Sequence, residues 1–432
     1  MSREPRSDQR AAARLRWVLA SLSLCMLLPS LGISSANVAL PALAQAFAAP
    51  FQQVQWVVAA YLLANTALVV GAGTLGDRLG RRRLLVAGLA IFAAASALCS
   101  VAPTLWLLVA ARALQGVGAA LLMALAMAFV GDAVPKQQTG RAMGLLGTTS
   151  AVGTALGPTL GGLLIEGFGW RVIFFVNVPL TLLALLLAWR WLPADRPAVA
   201  AQGADDAKAS PLLQAFAFRH EALRDPQLRA GMATSALVST VMMATLVVGP
   251  FYLKGALGLE MALVGLVMSA GPAMSALAGV PAGRLVDRHG ARRMTFAGLL
   301  GMGVGCVALI SVPAAWGIAG YVGTIVLLTA HYALFQAANN TAVMTGVSAR
   351  ERGAVSGLLT LARNLGLVCG ASLMGGVFAF ATGAEALAAA QPDAVAKGMR
   401  STFLLAAGLV GAALAVQRTL APAPGRAAAR AG

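Results

Sequence analysis

The 432 residues are 59% hydrophobic and only 11% charged, with a mean hydropathy of +0.79; soluble globular domains are roughly one-quarter charged. That composition excludes a soluble protein and predicts an integral membrane chain. The formal net charge of +17 is not a nucleic-acid footprint, because no basic stripe interleaved with aromatic residues forms on a polar domain.

Runs of about 17 to 25 apolar residues, cut by charges and turn residues, predict twelve spanning helices. In chain order they fall near 17–41, 54–75, 84–103, 105–130, 142–165, 171–192, 229–253, 262–286, 293–313, 315–345, 353–381 and 400–418. Arg10, Arg14 and Arg16 precede the first run, as in a signal peptide, but eleven more runs follow, so this one reads as a retained helix. The longest polar interruption, 193–228, holds Pro193, Pro197 and Pro211 and divides six spans from six. The predicted organisation is an N-terminal six-helix bundle at 1–192, a loop at 193–228, and a C-terminal six-helix bundle with a short tail at 229–432. With the N-terminus inside, 26 of the 32 Lys and Arg lie on the cytoplasmic side. Arg171, Lys254, Lys397 and Arg400 fall outside, and Arg112 and Arg363 within the membrane. This bias predicts that both termini and the central loop are cytoplasmic. Cys25, Cys99, Cys306 and Cys369 stand singly in or at the ends of spans, as small core residues rather than metal ligands or disulfides.

The turns after spans two and eight share one phrase, Gly-Thr-Leu-Gly-Asp-Arg-Leu-Gly-Arg-Arg-Arg at 73–83 and Gly-Arg-Leu-Val-Asp-Arg-His-Gly-Ala-Arg-Arg at 283–293. Its marked positions are Gly73, Asp77, Arg78, Gly80 and Arg81, then Gly283, Asp287 and Arg288. A charged turn recurring between membrane-length helices in both halves predicts a duplicated bundle, with the copies related by an axis along the membrane normal. Span four carries Arg112, Gln115, Gly116 and Gly118; an arginine in a membrane costs a few kcal/mol unless partnered, so Arg112 should face the protein interior. In span five, Gly153, Gly157 and Gly161 recur every four residues, with Gly162 beside them and Pro158 between. That face is bare backbone and predicts a close helix contact, with a bend at the proline. Trp170 and Arg171 open span six as an outer-interface anchor.

The fifteen acids all fall in loops or at helix ends, so no carboxylate lies deep in a span. The polar groups that remain inside are Asn37, Asn65, Arg112, Gln115, His331, Tyr332, Gln336, Asn339, Asn340 and Arg363. These are the candidate coupling or cavity-lining residues. Among them only His331 titrates near neutral pH, and a lone His in a helix is read either as a hydrogen-bonded packing residue or as a coupling site. Met242, Met243 and Phe251 of span seven line an adaptable apolar cavity or pack against neighbours.

These phrases resemble those of the major facilitator superfamily, most closely its proton-coupled drug exporters, over nearly the whole chain. The resemblance implies an all-α membrane fold of twelve helices in two pseudo-symmetric six-helix bundles. It implies that Asp77 holds one conformation closed by meeting the N-terminus of a helix in the other half, span eleven, with Gly73 permitting close approach. The plainer reading of Asp77 is a surface carboxylate satisfying Arg78 or Arg81. The phrase at Arg112 resembles the family's second signature, in which Arg112 either bonds the polar part of span one, with Asn37 as the acceptor, or transmits protonation. The glycines of span five resemble the signature of exporters rather than importers. The phrases from Trp170 to Pro179 and from Leu31 to Pro41 resemble drug exporters too, but Gly32 stands where an acidic residue is common.

The leading expectation is a secondary exporter of small lipophilic compounds, working by alternating access in exchange for protons in the cytoplasmic membrane. It would act as a monomer among membrane lipids, with no metal, cofactor or nucleic acid. An uptake symporter for a metabolite is disfavoured by the sparse polar lining, and a non-transporting membrane sensor is the third reading. No Gly-Lys dipeptide, HExxH or GxSxG occurs, which speaks against an ATP-driven pump or a membrane hydrolase.

Overall fold

The computed structural model describes residues 4–133, 139–193, 225–345, 352–383 and 391–420, and every regular element among them is an α-helix. The predicted central loop therefore lies almost wholly outside the described residues. In chain order the helices are α1 (Glu4–Ala46), α2 (Phe51–Val54), α3 (Trp56–Leu79), α4 (Arg81–Val101), α5 (Leu105–Ala133), α6 (Thr139–Phe168), α7 (Val172–Phe175) and α8 (Asn177–Trp191). Then follow α9 (Pro226–Gly255), α10 (Met261–Met268), α11 (Ala270–His289), α12 (Ala291–Met344), α13 (Arg352–Thr382) and α14 (Pro392–Leu420).

Among the described residues eleven stretches are long and apolar enough to cross a membrane, and α3, 24 residues long, supplies the twelfth crossing. A lipid interior leaves the backbone no external partner, which is why the crossings are helical throughout. Two pairs of short elements act as single crossings: α7 with α8, and α10 with α11. Helix α12 does the reverse, holding two crossings, Ala291–Ser311 and Ala315–Met344, with Gly317 non-helical between their bodies (φ 55, ψ −132).

The chain divides into two compact units, residues 1–43 with 56–207, and residues 44–55 with 208–432. In the first, α5 packs on α3 and α4, and α4 on α8. Its core joins Leu22 and Cys25 of α1 to Leu89 and Phe92 of α4 and Leu122, Leu125 and Phe129 of α5. Small residues let the backbones meet: a Cβ on Gly88 would fall 2.8 Å from Leu121 Cβ, the close approach that helix association in lipid depends on.

In the second unit α9 packs on α13 and α14, and α12 on α11 and α14. Met243 and Phe251 are buried there, and the Phe251 ring meets Phe51 at 5.0 Å and Phe378 at 6.1 Å between centroids. Phe251 thus packs edge-to-face on Phe51 and tilted on Phe378, and Met243 Cβ lies against Gly370. The outward faces are apolar, as lipid requires: Phe380 is 90% exposed and Leu277 73%. Cys25, Cys99 and Cys306 are buried as expected, whereas Cys369 is exposed, and all four are free thiols.

Candidate functional site

Helix α3 ends at Leu79 and α4 begins at Arg81, so the first repeated turn reverses at Gly80 (φ 96, ψ 122). Its counterpart Gly290 joins α11 to α12 with φ 84 and ψ 144. That backbone is strained for any side chain, which accounts for glycine at both positions. The side chains around the two turns differ. In the first copy Arg81 Nη1 donates to Ala128 O at 3.2 Å, near the end of α5, and Arg82 Nη2 donates to Trp189 O in the last turn of α8. Trp189 O has no intrahelical partner because Pro193 offers no N–H, and both acceptors lie toward the helix C-termini, where a cation is favoured. In the second copy the place of Arg81 is taken by Ala291, and Asp287, Arg288, Arg292 and Arg293 are exposed.

The glycines of this turn differ in what surrounds them. Among the described residues nothing lies within 4 Å of a Cβ added to Gly73 or to Gly283, so Gly73 does not serve close approach within its unit. Gly76 does: its added Cβ would fall 2.5 Å from a Leu125 methyl. Three residues turn a helix by roughly 300°, enough to give the two glycines different neighbours. Asp77 stands two positions before the end of α3; its side chain and that of Arg78 lie outside the described residues.

Arg112 is wholly buried on α5. Its Nε donates to Val57 O at 3.0 Å, and its Nη1 to Gln115 Oε1 at 2.6 Å and to Gly32 O at 3.4 Å. The guanidinium lies 4.3 Å from the centre of the Tyr61 ring, whose hydroxyl donates to Pro29 O at 3.1 Å. Gln115 Nε2 continues the chain to Ser96 Oγ at 2.8 Å, and Ser96 donates to Phe92 O at 2.6 Å. Acceptors and an aromatic face together offset part of the cost of burying the cation, while Nη2 is left without a partner. Asn37 is not its acceptor, contrary to that expectation: Asn37 Nδ2 bonds Ile33 O on its own helix. The acceptor from α1 is the Gly32 backbone carbonyl instead. Asn65, on α3, keeps a buried Oδ1 without a partner.

The glycine face of α6 lies on α1, as the spacing predicts. A Cβ on Gly153 would fall 2.8 Å from Leu27 O, one on Gly157 would overlap Ser34 Oγ, and one on Gly161 would sit 3.2 Å from Ser35 Cα. Ser34 Oγ also donates to Gly153 O at 3.3 Å, and Ser30 Oγ lies 2.7 Å from Ser150 Oγ. Pro158 and Gly162 are buried in the same helix. Trp170 departs from the anchor reading: it is 7% exposed and packs edge-on against Phe174, while Arg171 donates to Ala102 O just past the end of α4.

In the second unit the polar residues of α12 separate by face. His331 Nδ1 lies 2.8 Å from Leu327 O, and its ring covers Gly301, where a Cβ would collide with it. Asn339 Nδ2 donates to Gly231 O at 3.1 Å, tying α12 to α9. Tyr332, Gln336 and Asn340 face the other way, toward Arg363 of α13: Gln336 Nε2 donates to Tyr332 Oη at 3.2 Å. Gln336, Asn340 and Arg363 line a cavity of about 120 Å³ together with Ser235 and Thr360, and Met344 and Leu359 form its apolar side. Sequence reasoning missed Tyr61, Ser96, Ser235 and Thr360, because a tyrosine or a hydroxyl in a span is unremarkable until packing brings it to a charge.

The sequence matches the family model described as Major Facilitator Superfamily over residues 22–371 and again over 235–430. The multidrug efflux pump LfrA of Mycolicibacterium smegmatis is 30% identical over 415 residues, spanning 86% of this chain and 82% of the pump. The riboflavin transporter RibZ of Clostridioides difficile is 28% identical over 405 residues, spanning 84% and 88%. In structure the chain is similar to a bacterial homologue of the human lysosomal transporter Spinster, in an inward-facing and unoccupied conformation, with a TM-score of 0.77 at 19% identity over 94% of this chain and 98% of that one. The repeated turns, the twelve crossings and these matches agree: the chain belongs to the Major Facilitator Superfamily.

Proposed function

We propose that this transporter exports small lipophilic compounds across the cytoplasmic membrane by alternating access, in exchange for protons. The observation that carries the direction is the close seating of the α6 glycines on α1, the arrangement whose sequence resembles the exporter signature; two of the relatives, LfrA and Stp of Mycobacterium tuberculosis, are named as multidrug efflux or resistance proteins. The chemistry of the described carboxylates supports lipophilic cargo. Glu166 and Asp287 stand close to the ends of their helices, and Asp225 and Glu260 precede theirs, so among the described carboxylates none offers a fixed counter-charge for a dication deep in a span.

Expression in an efflux-deficient host should raise tolerance to a subset of a lipophilic toxin panel, and proteoliposomes should move those compounds only under an imposed pH gradient. Inward accumulation of a metabolite, or no movement at all, would sink the reading. Both termini and the central loop are proposed to be cytoplasmic; with the native cysteines removed, a cysteine at Ala207 should label from inside only. Asp77→Asn should leave expression normal and severely reduce transport, with Asp287→Asn doing less, since a helix-end carboxylate biases a conformational equilibrium while adding little stability. The seating of His331 on Gly301 supports packing over coupling, so His331→Gln should keep export dependent on the pH gradient.

A further inference from the structure

We propose that the cavity between α9, α12 and α13 binds the oxyanion of an acidic amphiphile, with Arg363 as its charge partner. The assignment deepens the export reading by naming a substrate class, and for that it rests on the reading.

Arg363 lies five residues, roughly 8 Å, into the candidate crossing Leu358–Thr382 of α13. Its Nε is buried and has no hydrogen-bond partner. An unmade bond to a buried donor is costly, and more so for a charged one. None of the residues lining the cavity is acidic, so the protein does not supply the counter-ion there. What it supplies is donors. A guanidinium, the Asn340 and Gln336 amides and the Ser235 and Thr360 hydroxyls converge on one space, and an ionised carboxylate or sulfonate offers only acceptors, several per group.

Size and apolar surroundings complete the argument. About 120 Å³ holds an ionised head group with its first carbons or a few waters, not a whole drug. Met344 and Leu359 on its apolar side are also part of a packed cluster with Leu228, Val343 and Leu358, a surface suited to a hydrocarbon body adjoining the charge. A cation brought here meets the guanidinium and finds no carboxylate. A neutral compound gains only ordinary hydrogen bonds.

The test is equilibrium binding to the purified full-length protein in phosphatidylcholine nanodiscs, using 1-naphthoate and its uncharged near-isostere 1-naphthamide. The wild type should bind naphthoate about tenfold or more tightly. Arg363→Gln should bring the two within about twofold, and Arg363→Lys should retain part of the preference, because the charge stays and the planar fork is lost. Asn340→Asp keeps Arg363 and supplies an anion from the protein, so it should abolish the preference too; it also serves if Arg363→Gln fails to fold. Equal binding by the wild type, or a preference unchanged in Arg363→Gln and in Asn340→Asp, would overturn the site. Preference retained in nanodiscs containing phosphatidylglycerol supports a substrate site, whereas its loss there assigns the cavity to a lipid headgroup and overturns the substrate class. Arg363-dependent naphthoate binding by a protein that exports nothing would count against the export reading alone, and export of neutral toxins without any naphthoate preference against the cavity alone.

Discussion

The two units share their turn and differ in how they treat a charge inside the membrane. Gly80 and Gly290 hold nearly the same backbone, with φ 96 and 84, and each opens a crossing that begins with basic residues. Past the turns the likeness stops. The first unit closes around Arg112, giving it three acceptors and an aromatic face. The second leaves Arg363 beside a polar cavity; each guanidinium keeps one buried nitrogen without a partner, Nη2 of Arg112 and Nε of Arg363, so the difference is the open space. A duplicated bundle thus keeps its backbone solution in both copies, since a tight turn has few, while side-chain chemistry is free to diverge. A guanidinium enclosed by its own helices is a strut; one left beside open space is available to a ligand.

The largest expected effect separates those two roles. Arg112→Ala empties a wholly buried position and orphans Gln115 Oε1, and should cost about 3 kcal/mol or more of stability. Arg363→Ala, at a cavity wall, should stay within about 1 kcal/mol. Thermal unfolding of the two purified variants gives the comparison directly. Equal losses would mean that Arg363 is a second strut and would remove the contrast between the units.

A smaller effect is expected where glycines are compared inside the first unit. Gly157→Val must displace Ser34 and the adjoining α1 backbone, an overpacking that costs about 1 to 3 kcal/mol. Gly73→Ala meets nothing among the described residues, and replacing a helical glycine in open space is neutral or slightly stabilising. Similar melting temperatures for both variants would contradict the seating of α6 on α1.

These cases also show how far the sequence alone could be read. The crossings were legible because a lipid interior demands uninterrupted apolar helices, and the α6 contact because three glycines at four-residue spacing define a face without any partner being known. Gly73 and Gly76 were not separable in that way. Each is a single glycine in a charged phrase, and only the position of Leu125 says which one is crowded. The partner of Arg112 was hidden for a related reason: the bond goes to Gly32 O, a backbone atom that every residue has, and the sequence draws attention to side chains such as Asn37. The cavity at Arg363 gathers residues from three helices, with Ser235 a hundred or more positions before the rest, so no local pattern announces it. Unions in space of ordinary residues are what a linear reading misses.

The smallest effect tests whether the turns are alike in energy as well as in backbone. Gly80→Ala and Gly290→Ala each force a side chain into the φ > 0 region, a strain of about 1 to 3 kcal/mol. Nothing among the described residues lies within 4 Å of a Cβ at Gly290, so steric crowding adds nothing to the strain there. The surroundings enter through the arginines. Arg81 and Arg82 tie the first turn to the ends of α5 and α8, whereas Arg292 and Arg293 are exposed. If the backbone dominates, the two alanine variants lose the same stability, and Arg82→Ala alone costs more than Arg292→Ala, by about 0.5 to 1.5 kcal/mol for one hydrogen bond. A much larger loss for Gly80→Ala than for Gly290→Ala would show that the tethered turn cannot relax and the free one can. The repeat would then be conserved in shape and unequal in rigidity, with the stiffer copy the one that carries Asp77.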